Sequence, residues 1–403
     1  MSDSKNGAWY QLWSTFFGRT WPMWVGGLVL ATLNICLFLV KYPWGGSPTY
    51  INWGQNIYKL LGLFDLKSAV PVTMHQWGLL GILTVLGAGV GALLSREFAI
   101  RIPPVGEMAK GLIGGVLMAL GSTMGIGCTI GGFLSGIPAL SGGAIFLAIG
   151  FAIGAFLALR YLLWEMEKAP KLSSGKSVTL LAAKGKGGIW QPILGVILVA
   201  FLLIGPSVLH RGDMVLTWFA IIGLFLGFVC QRSRFCVTRA FREPFMTGES
   251  EAPLAVMAAL LVGIFGFTVI KYMGIGGAFP GGAREIALKA VYPHFWLRAL
   301  IGGTIFGIGM VIAGGCAVGT LWRMGEGQIK LWFSGLGFSL MAPISIKYIV
   351  PGWSKILPSW AQKQCFLPDY FGYWGAVLLL LVIITLWFVF VKWNERTGKF
   401  SAV

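Results

Sequence analysis

The sequence predicts an all-α integral membrane protein with about ten membrane spans. Of its 403 residues, 56% are hydrophobic and only 11% are charged, whereas a soluble domain carries about 25% charged residues. The apolar residues also form long runs without Asp, Glu, Lys or Arg, such as 111–159. Because a backbone in lipid must satisfy its own hydrogen bonds, such runs indicate helices, and the alternation of a membrane β-barrel is absent.

The predicted spans follow from the length of a crossing, which takes about 20 apolar residues. They are 22–40, 76–95, 107–128, 143–163, 189–206, 214–230, 254–273, 298–316, 328–346 and 371–391. A further segment, 50–65, is too short and polar to cross, and is predicted to be an interfacial or re-entrant helix.

The basic residues predict the orientation. The net charge is +17, but Lys and Arg lie in short loops between the spans, where positive charge favours the cytoplasm. This distribution does not indicate nucleic-acid binding. Counting spans from an inner N-terminus places most loop Lys and Arg on the cytoplasmic side. We therefore expect an inner (cytoplasmic) membrane protein of bacterial type, with both termini in the cytoplasm and no cleaved signal peptide.

A glycine-cysteine pattern occurs twice. Its spacing is Gly-Gly-x5-Gly-x5-Gly-Cys-x2-Gly, and the second copy lies 188 residues after the first. Glycine is common, with 59 residues, but six fixed matches that include a cysteine are hard to obtain by chance. The copies are Gly114, Gly115, Gly121, Gly127, Cys128 and Gly131, then Gly302, Gly303, Gly309, Gly315, Cys316 and Gly319.

This repeat predicts two related membrane halves, 1–168 and 189–403, joined by a polar cytoplasmic linker at 169–188. The two Gly-Cys helices lie five predicted spans apart, and an odd separation turns one of them upside down. A weaker similarity relates Trp77–Phe98 to Trp218–Phe235. The pattern is that of inverted-repeat transporters, in which broken or re-entrant helices hold the substrate near the membrane midplane.

The glycines beside the two cysteines have two interpretations. Small residues let membrane helices pack closely. Glycine also allows a helix to break, and the new helix N-terminus then directs N–H groups and a positive dipole at an anion. Cysteine at both equivalent positions favours the second interpretation. The predicted binding residues here are Gly127, Cys128, Thr129, Gly315, Cys316 and Ala317.

A third candidate is Cys236, which follows a span end that carries Arg232 and Arg234. The arginines are typical of a cytoplasmic positive anchor, and they could also attract an anion to the inner mouth. No metal or cofactor is expected, because a Cys-x5-Cys pair has poor zinc spacing and the three His are scattered. The absence of Asp and Glu deep in the apolar runs argues against a proton-coupled pump and against a hydrolase.

These motifs resemble the YeeE/YedE family of sulfur-compound transporters, and the resemblance covers nearly all of the membrane portion. Its most specific pieces are Gln231–Cys236, Ala240–Glu243, Ala313–Thr320 and Gly127–Gly131. The half with the Arg-Phe-Cys motif comes second in this chain. That order is the one found in the YedE-type branch, which is associated with selenium metabolism.

The resemblance implies non-enzymatic uptake of thiosulfate, or a related inorganic sulfur species, into the cytoplasm. Cys128, Cys236 and Cys316 would line an hourglass-shaped path and relay the anion by S–H···S hydrogen bonds. Some family members carry a sulfur-carrier domain with a Cys-Pro motif. That motif is absent here, so a TusA-like carrier would be a separate cytoplasmic chain. The other cysteines, Cys36, Cys230 and Cys365, match no family motif.

Three alternatives stay open at this point. The first is a selenium-compound transporter of the same family. The second is a membrane redox or persulfide relay that uses the cysteines covalently. The third is a structural scaffold whose glycines only pack helices.

Overall fold

The computed structural model describes residues 14–63, 69–169, 175–182, 190–209, 212–275, 282–291 and 296–401. The regular secondary structure of this part of the chain is helical, apart from two short antiparallel strands, β1 (Ile100–Ile102) and β2 (Val178–Leu180). The helices are α1 (Met23–Val40), α2 (Ser47–Leu60), α3 (Gln76–Leu94), α4 (Val105–Met124), α5 (Gly142–Lys168), α6 (Trp190–Leu209), α7 (Met214–Ser233), α8 (Val237–Met246), α9 (Glu251–Met273), α10 (Gly282–Leu288), α11 (Leu297–Ala313), α12 (Ala317–Gly325), α13 (Ile329–Ile344), α14 (Val350–Ile356) and α15 (Pro368–Thr397). Short π-helical turns lie at Ser14–Gly18, Thr129–Leu134 and Ser345–Ile349, and 3-10 turns at Val72–Met74 and Ser359–Gln362.

Eight stretches of the described residues are long and apolar enough to cross a bilayer. They are Met23–Val40, Gln76–Leu94, Gly142–Lys168, Met214–Met246, Glu251–Met273, Leu297–Gly325, Ile329–Ile356 and Pro368–Thr397. The other two predicted spans are also helical, as α4 and α6, but the apolar part of α6 reaches only from Trp190 to Gly205. The prediction of an all-α polytopic membrane protein is therefore confirmed.

Within the described residues, three helix interruptions end at a cysteine. The helix α4 ends at Met124, and Cys128 is the N-cap of the π-helical turn Thr129–Leu134. In the second copy, α11 ends at Ala313 and Cys316 caps α12. These breaks lie where the Gly-Cys pattern predicts them. The third break, between α7 and Cys236 at the start of α8, was not predicted from the sequence.

The two Gly-Cys helices, α4 and α11, cross at their glycines. A Cβ atom added to Gly114 would lie 2.7 Å from the carbonyl oxygen of Gly309, and one added to Gly121 would lie 2.5 Å from that of Gly302. The helices therefore run antiparallel in close contact, as small residues permit. Gly114 thus faces Gly309, the counterpart of Gly121 in the second copy, and Gly121 faces Gly302, the counterpart of Gly114. A two-fold axis produces this exchanged pairing. The inverted repeat remains a prediction that this crossing supports.

The helices of the weaker similarity, α3 and α7, meet in the same way. A side chain at Gly87 would overlap the carbonyl group of Leu224, and one at Gly227 would overlap that of Thr84. Glycine thus packs helices at these crossings, while at the cysteines it accompanies helix breaks. Close packing and helix breaking therefore both occur, at different positions, while anion binding at the breaks stays a prediction.

Part of the predicted linker at 169–188 is ordered against the first half. Its strand β2 pairs with β1, with Thr179 opposite Arg101. The side chain of Gln191, at the start of α6, donates to the carbonyl oxygens of Phe98 and Leu181 at 3.0 Å each. This strand was not predicted from the sequence, because three residues are too few to show a period.

Candidate functional site

Cys236 and Cys316 lie side by side in the interior of the bundle. Their thiols are hydrogen-bonded to each other, and the two residues are only 1% and 0% exposed. A Cβ atom added to Gly319 would lie 3.1 Å from the sulfur of Cys236 and 3.6 Å from that of Cys316. Since Cys236 caps α8 and Cys316 caps α12, two helix N-termini converge on this pair of sulfur atoms.

Backbone amides surround both sulfur atoms. The amide of Gly319 donates to the Cys316 sulfur at 3.4 Å, and the amide of Thr238 is also directed at it. The amides of Arg239 and Cys316 donate to the Cys236 sulfur. Such N-terminal amides carry partial positive charge and are a ready-made site for an anion.

One cationic side chain adds to the positive charge around the thiols. Arg323, in the last turn of α12, lies close enough to interact electrostatically with Cys236. Its Nη1 donates to the carbonyl oxygen of Gly314 at 2.5 Å, and its charged group lies 5.0 Å from the centre of the Trp322 ring. Among the described residues, no carboxylate forms an ion pair with Arg323. The pair of thiols therefore lies in a positive environment.

Cys128 lies at a separate cavity of about 310 Å³. The cavity is bounded by the start of α2, the end of α4 and the break that follows it. Its lining residues are Gly45, Gly46, Ser47, Pro48, Ile51, Ser122, Thr123, Ile126, Gly127, Cys128, Gly131, Ile346 and Val350. A Cβ atom added to Gly46 would lie 3.1 Å from the Cys128 sulfur. The structure thus places Gly127 and Cys128 in the wall of a cavity of ligand-binding size.

Tyr50 lies near both Cys128 and the thiol pair. Its side chain is fully buried, and its hydroxyl group donates to the carbonyl oxygen of Ala317 at 2.8 Å. The ring stacks on Phe338, with centroids 4.3 Å apart. The hydroxyl is close enough to both Cys128 and Cys316 to interact electrostatically with each. Tyr50 was not predicted as a site residue, because nothing in the pattern of the 50–65 segment marks its contact with a residue 267 positions away.

The segments that follow Cys128 and Cys236 each contain one threonine hydroxyl that has no hydrogen-bond partner among the described residues. These hydroxyls belong to Thr129, in the turn that follows Cys128, and to Thr238, in the first turn of α8. Both residues are at most 1% exposed. Buried polar groups are normally satisfied, so these hydroxyls are available to donate to a bound oxyanion. Thr129 was a predicted site residue, whereas Thr238 was not.

The remaining predicted residues of the second copy lie at the break itself. Ala317 offers its carbonyl oxygen to Tyr50, and its amide opens α12. A Cβ atom added to Gly315 would lie 3.0 Å from the side chain of Leu331 and 3.4 Å from the backbone of Gly319. Gly315 is therefore a position of close packing beside the thiols.

Arg234 closes the site on the side away from the cavity. It adopts a left-handed conformation, with φ of 55°, and its guanidinium lies 3.0 Å from both Glu97 and Glu326. Gln231 joins the same two carboxylates, at 2.9 Å and 3.2 Å. Trp322 lies next to this cluster, and its indole N–H donates to the carbonyl oxygen of Phe235 at 3.0 Å. Through the carbonyl group of Phe235, the residue before Cys236, this cluster adjoins the thiol pair.

Arg232 has a different environment from Arg234. It is 1% exposed, and its guanidinium donates to the backbone carbonyl of Arg19 and to Glu97. Its own carbonyl oxygen accepts from the amide of Trp21 at 2.9 Å. Arg232 therefore ties the residues before α1 to the end of α7, while Arg234 lies at the mouth. The carboxylates that pair with them, Glu97 and Glu326, were not singled out as site residues from the sequence.

One of the three scattered histidines has a structural role at the start of a helix. His75 is the N-cap of α3, and its Nδ1 accepts from the amide of Gly78 at 3.2 Å. Burial lowers the pKa of His75, which keeps the ring in the neutral form that this cap requires. Within the described part of the chain, no three His, Cys, Asp or Glu side chains are grouped to hold a metal ion.

A bundle of broken apolar helices, with a buried thiol site between a cavity and an ion-pair cluster, defines this protein as a polytopic membrane transporter. The chain belongs to the sulphur transport family, whose sequence pattern matches residues 1–157 and 232–402. Membership of this family confirms the resemblance found in the sequence. Transport of a sulfur anion is the activity that the family supports.

Some known relatives match most of the chain, and others match a little less than half of it. The probable transporter YedE of Escherichia coli is 26% identical over 375 residues, which are 89% of this chain and 88% of YedE. The thiosulfate transporter TsuA of Escherichia coli is 34% identical over 189 residues, 45% of this chain and 49% of TsuA. TsuA of Spirochaeta thermophila is 31% identical over 204 residues, 45% of this chain and 56% of that protein.

Proposed function

We propose that this protein carries thiosulfate, or a closely related inorganic sulfur anion, into the cytoplasm without covalent chemistry. The observation that carries the proposal is the hydrogen-bonded pair of Cys236 and Cys316 at the meeting point of two helix N-termini. The similarity to proteins named thiosulfate transporters supports the choice of cargo. Selenium compounds of similar chemistry are the alternative cargo.

The cavity at Cys128 is the point of entry. It is wide enough for a small anion, and the hydroxyl of Ser47 in its wall has no hydrogen-bond partner among the described residues. A thiol is a weak donor that suits the soft terminal sulfur of thiosulfate, whereas a hydroxyl suits its hard oxygens. Cys128 and Ser47 can therefore hold the two ends of the anion at once.

Transfer to the second site passes Tyr50. Its hydroxyl lies near both Cys128 and Cys316, so it can donate to the anion as the Cys128 thiol releases it. For that, the hydroxyl exchanges its bond to Ala317 for one to the cargo. The number of hydrogen bonds stays the same in this exchange, so no buried donor loses its partner during the step.

At the second site the anion replaces the mutual bond of the two thiols. Cys236 and Cys316 then both donate S–H groups to its terminal sulfur, while the amides at the starts of α8 and α12 hold the oxygens. Thr238 supplies a further hydroxyl that has no partner among the described residues. Sulfate lacks the soft end and cannot satisfy the thiols, so cysteine at these positions discriminates between the two anions.

Release requires the cluster around Arg234 to open. Arg234 is bound to Glu97 and Glu326, and an arriving anion competes with these carboxylates for the guanidinium. The side chain of Arg234 is 34% exposed, so it can turn toward solvent with its cargo. Consumption of the anion in the cytoplasm then drives net inward flow, and a TusA-like carrier protein remains our prediction for the acceptor.

Both ends of the described chain lie on the face of Arg234, which supports the predicted orientation. Gly27, near the start of α1, packs on the carbonyl group of Ala255, near the start of α9. Lys392, near the end of α15, donates to Ser250, the N-cap of α9, at 2.9 Å. We propose that this face is cytoplasmic and that the cavity at Cys128 faces the opposite side of the inner membrane.

Uptake of radiolabelled thiosulfate tests the proposal, in a bacterial strain that has no other route for the anion. Cys236→Ala and Cys316→Ala each remove a donor from the second site, and we expect at least about a tenfold loss, the effect of roughly 1.4 kcal/mol. Cys230→Ala is the matched control, because Cys230 is also fully buried but makes no hydrogen bond to the pair. Near-normal uptake by both site variants contradicts the proposal.

The covalent relay predicts a different chemical state. In that mechanism the thiolate of Cys236 or Cys316 would attack the terminal sulfur of thiosulfate, which forms a persulfide and releases sulfite. The neighbouring thiol could then displace hydrosulfide from the persulfide and leave a disulfide. Mass spectrometry of acid-quenched protein during uptake distinguishes the mechanisms. Non-covalent transport leaves both cysteines as free thiols, whereas the relay leaves at least one of them with added sulfur or in a disulfide.

A further inference from the structure

Two neighbouring cavities on the side of the bundle play no part in the proposed path. The first is an apolar cavity of about 390 Å³ between α5, α8, α9 and α15. Ile149 and Ala152 of α5, Phe245 of α8 and Trp387 of α15 are among its lining residues, and almost all of its wall is apolar. Ile149 is 45% exposed on a helix that crosses the bilayer, so this cavity faces the lipid.

The second cavity, of about 470 Å³, is basic. Phe245 lines both cavities, so they are neighbours along α5, and the two together are called the groove below. Arg160 and Lys399 line the basic end, and both are exposed. Neither forms an ion pair with a carboxylate in the part of the chain that the structure describes. Two exposed cations without a counter-ion therefore lie at one end of an apolar groove.

The position of Lys399 is fixed by the fold of the C-terminal turn. The chain reverses at Gly398, with φ of 62°, and the amide of Phe400 donates to the side-chain oxygen of Asn394 at 2.9 Å. The buried amide group of Asn394 donates in turn to the carbonyl oxygen of Pro244 at 2.6 Å. The turn is thus held against α8, and Lys399 is kept at the groove.

We propose that this groove binds one anionic glycerophospholipid, with an acyl chain in the apolar cavity and the phosphate between Arg160 and Lys399. An apolar cavity that opens to the lipid suits a hydrocarbon chain. Aromatic residues and cations at its end are the side chains that gather at the headgroup level of a bilayer. Basic pockets between membrane helices bind anionic headgroups for the same electrostatic reason. A zwitterionic headgroup would bring its own cation to a site that already has two.

The floor of the groove connects the lipid to two of the cysteine-capped segments. Phe133 belongs to the turn that begins after Cys128, and Phe241 belongs to the helix that begins after Cys236. Both rings line the apolar cavity, and their centroids lie 5.3 Å apart. An acyl chain packed on these rings stabilises both segments, so anionic lipid is expected to raise the thermal stability of the protein. This inference does not depend on the identity of the transported anion.

Lipid retention measured by native mass spectrometry tests the proposal. The purified protein is titrated with phosphatidylglycerol and with phosphatidylcholine that carry the same acyl chains. We expect retained phosphatidylglycerol on the wild type, and a loss of that preference in the double variant Arg160→Gln/Lys399→Gln by roughly 30-fold, about fivefold for each cation. Arg396→Gln is the matched control, because Arg396 is an exposed cation near Lys399 that does not line the groove. Its preference should equal that of the wild type.

A second variant tests the acyl chain. Ala152→Trp places a large side chain in the apolar cavity and should reduce retention of phosphatidylglycerol while leaving both cations in place. The stabilisation by phosphatidylglycerol should fall with it in a thermal unfolding measurement. Equal retention of the two lipids by the wild type, or unchanged retention in either the double variant or Ala152→Trp, would overturn the proposal.

Discussion

The hydroxyl group of Tyr50 donates to the carbonyl oxygen of Ala317 at 2.8 Å, which joins α2 to the first residue of α12. This bond places a phenolic hydroxyl beside the break that carries Cys316. The same hydroxyl lies near Cys128, at the cavity on the other side. Tyr50 is therefore positioned to contact an anion that moves between the two cysteines.

Tyr50→Phe should slow thiosulfate uptake by about tenfold, because the transferring anion loses one donor, worth roughly 1.4 kcal/mol, while the ring still stacks on Phe338. The measurement is the initial rate of uptake at equal amounts of protein in the membrane. Tyr58→Phe is the matched control. Tyr58 lies on the same helix and donates to the carbonyl oxygen of Leu340 at 2.7 Å, away from the cysteines. Equal rates for the two variants would mean that Tyr50 has only a packing role.

Gly319→Ala should reduce uptake without unfolding the protein. The added methyl group would lie 3.1 Å from the Cys236 sulfur and 3.6 Å from the Cys316 sulfur, so it occupies the space in which the anion contacts the thiols. Alanine is also the better helix former, by up to about 1 kcal/mol. We expect a loss of tenfold or more in uptake, with a midpoint of thermal unfolding close to that of the wild type.

The control for this variant is Gly352→Ala, where an added Cβ atom meets no heavy atom within 4 Å. It should leave both uptake and thermal stability near the wild-type values. Full uptake by Gly319→Ala would show that the cargo does not enter the space between the two sulfur atoms.

Glu326→Gln should loosen the closed side of the site. The change keeps a hydrogen-bonding side chain but removes the charge that binds Arg234 at 3.0 Å. A charge-assisted bond exceeds a neutral one by about 1 kcal/mol, which shifts an opening equilibrium by roughly fivefold. Labelling of Cys236 by a membrane-impermeant thiol reagent, applied from the face of Arg234, should accelerate by that factor.

Glu107→Gln serves as the comparison for the labelling experiment. Glu107 also forms ion pairs, with Lys110 and Lys330, but these lie outside the cluster around Arg234. The labelling rate of Cys236 should not change in this variant. A rate that rises equally in both variants would indicate general loosening of the helices rather than opening at Arg234.

The sequence was sufficient for the fold class and for two of the helix breaks. An uncharged run must be long enough to cross the hydrocarbon core of the bilayer. For that reason α1, α3 and α9 lie where the composition predicts them. The break before Cys316 was predictable because Gly314 and Gly315 precede it, and Gly314 does adopt a left-handed conformation with φ of 81°.

The parts that could not be predicted depend on contacts between distant residues. The break before Cys236 uses a left-handed Arg234, and arginine has no particular preference for that conformation. Its two ion pairs, with Glu97 and Glu326, stabilise the conformation, but they join residues from three separate parts of the chain. The contact of Tyr50 with Ala317 is equally distant in sequence. Only the folded chain brings these groups to the thiol pair.

The most direct test of the central claim is the selectivity of purified protein in proteoliposomes. The account attributes discrimination to the soft donors of Cys236 and Cys316, so wild-type protein should import thiosulfate in strong preference to sulfate. Cys316→Ser keeps the size of the side chain but replaces the soft donor with a hard one, and the ratio of thiosulfate to sulfate uptake should fall by about tenfold. An unchanged ratio in this variant, or equal uptake of both anions by the wild type, would contradict the account.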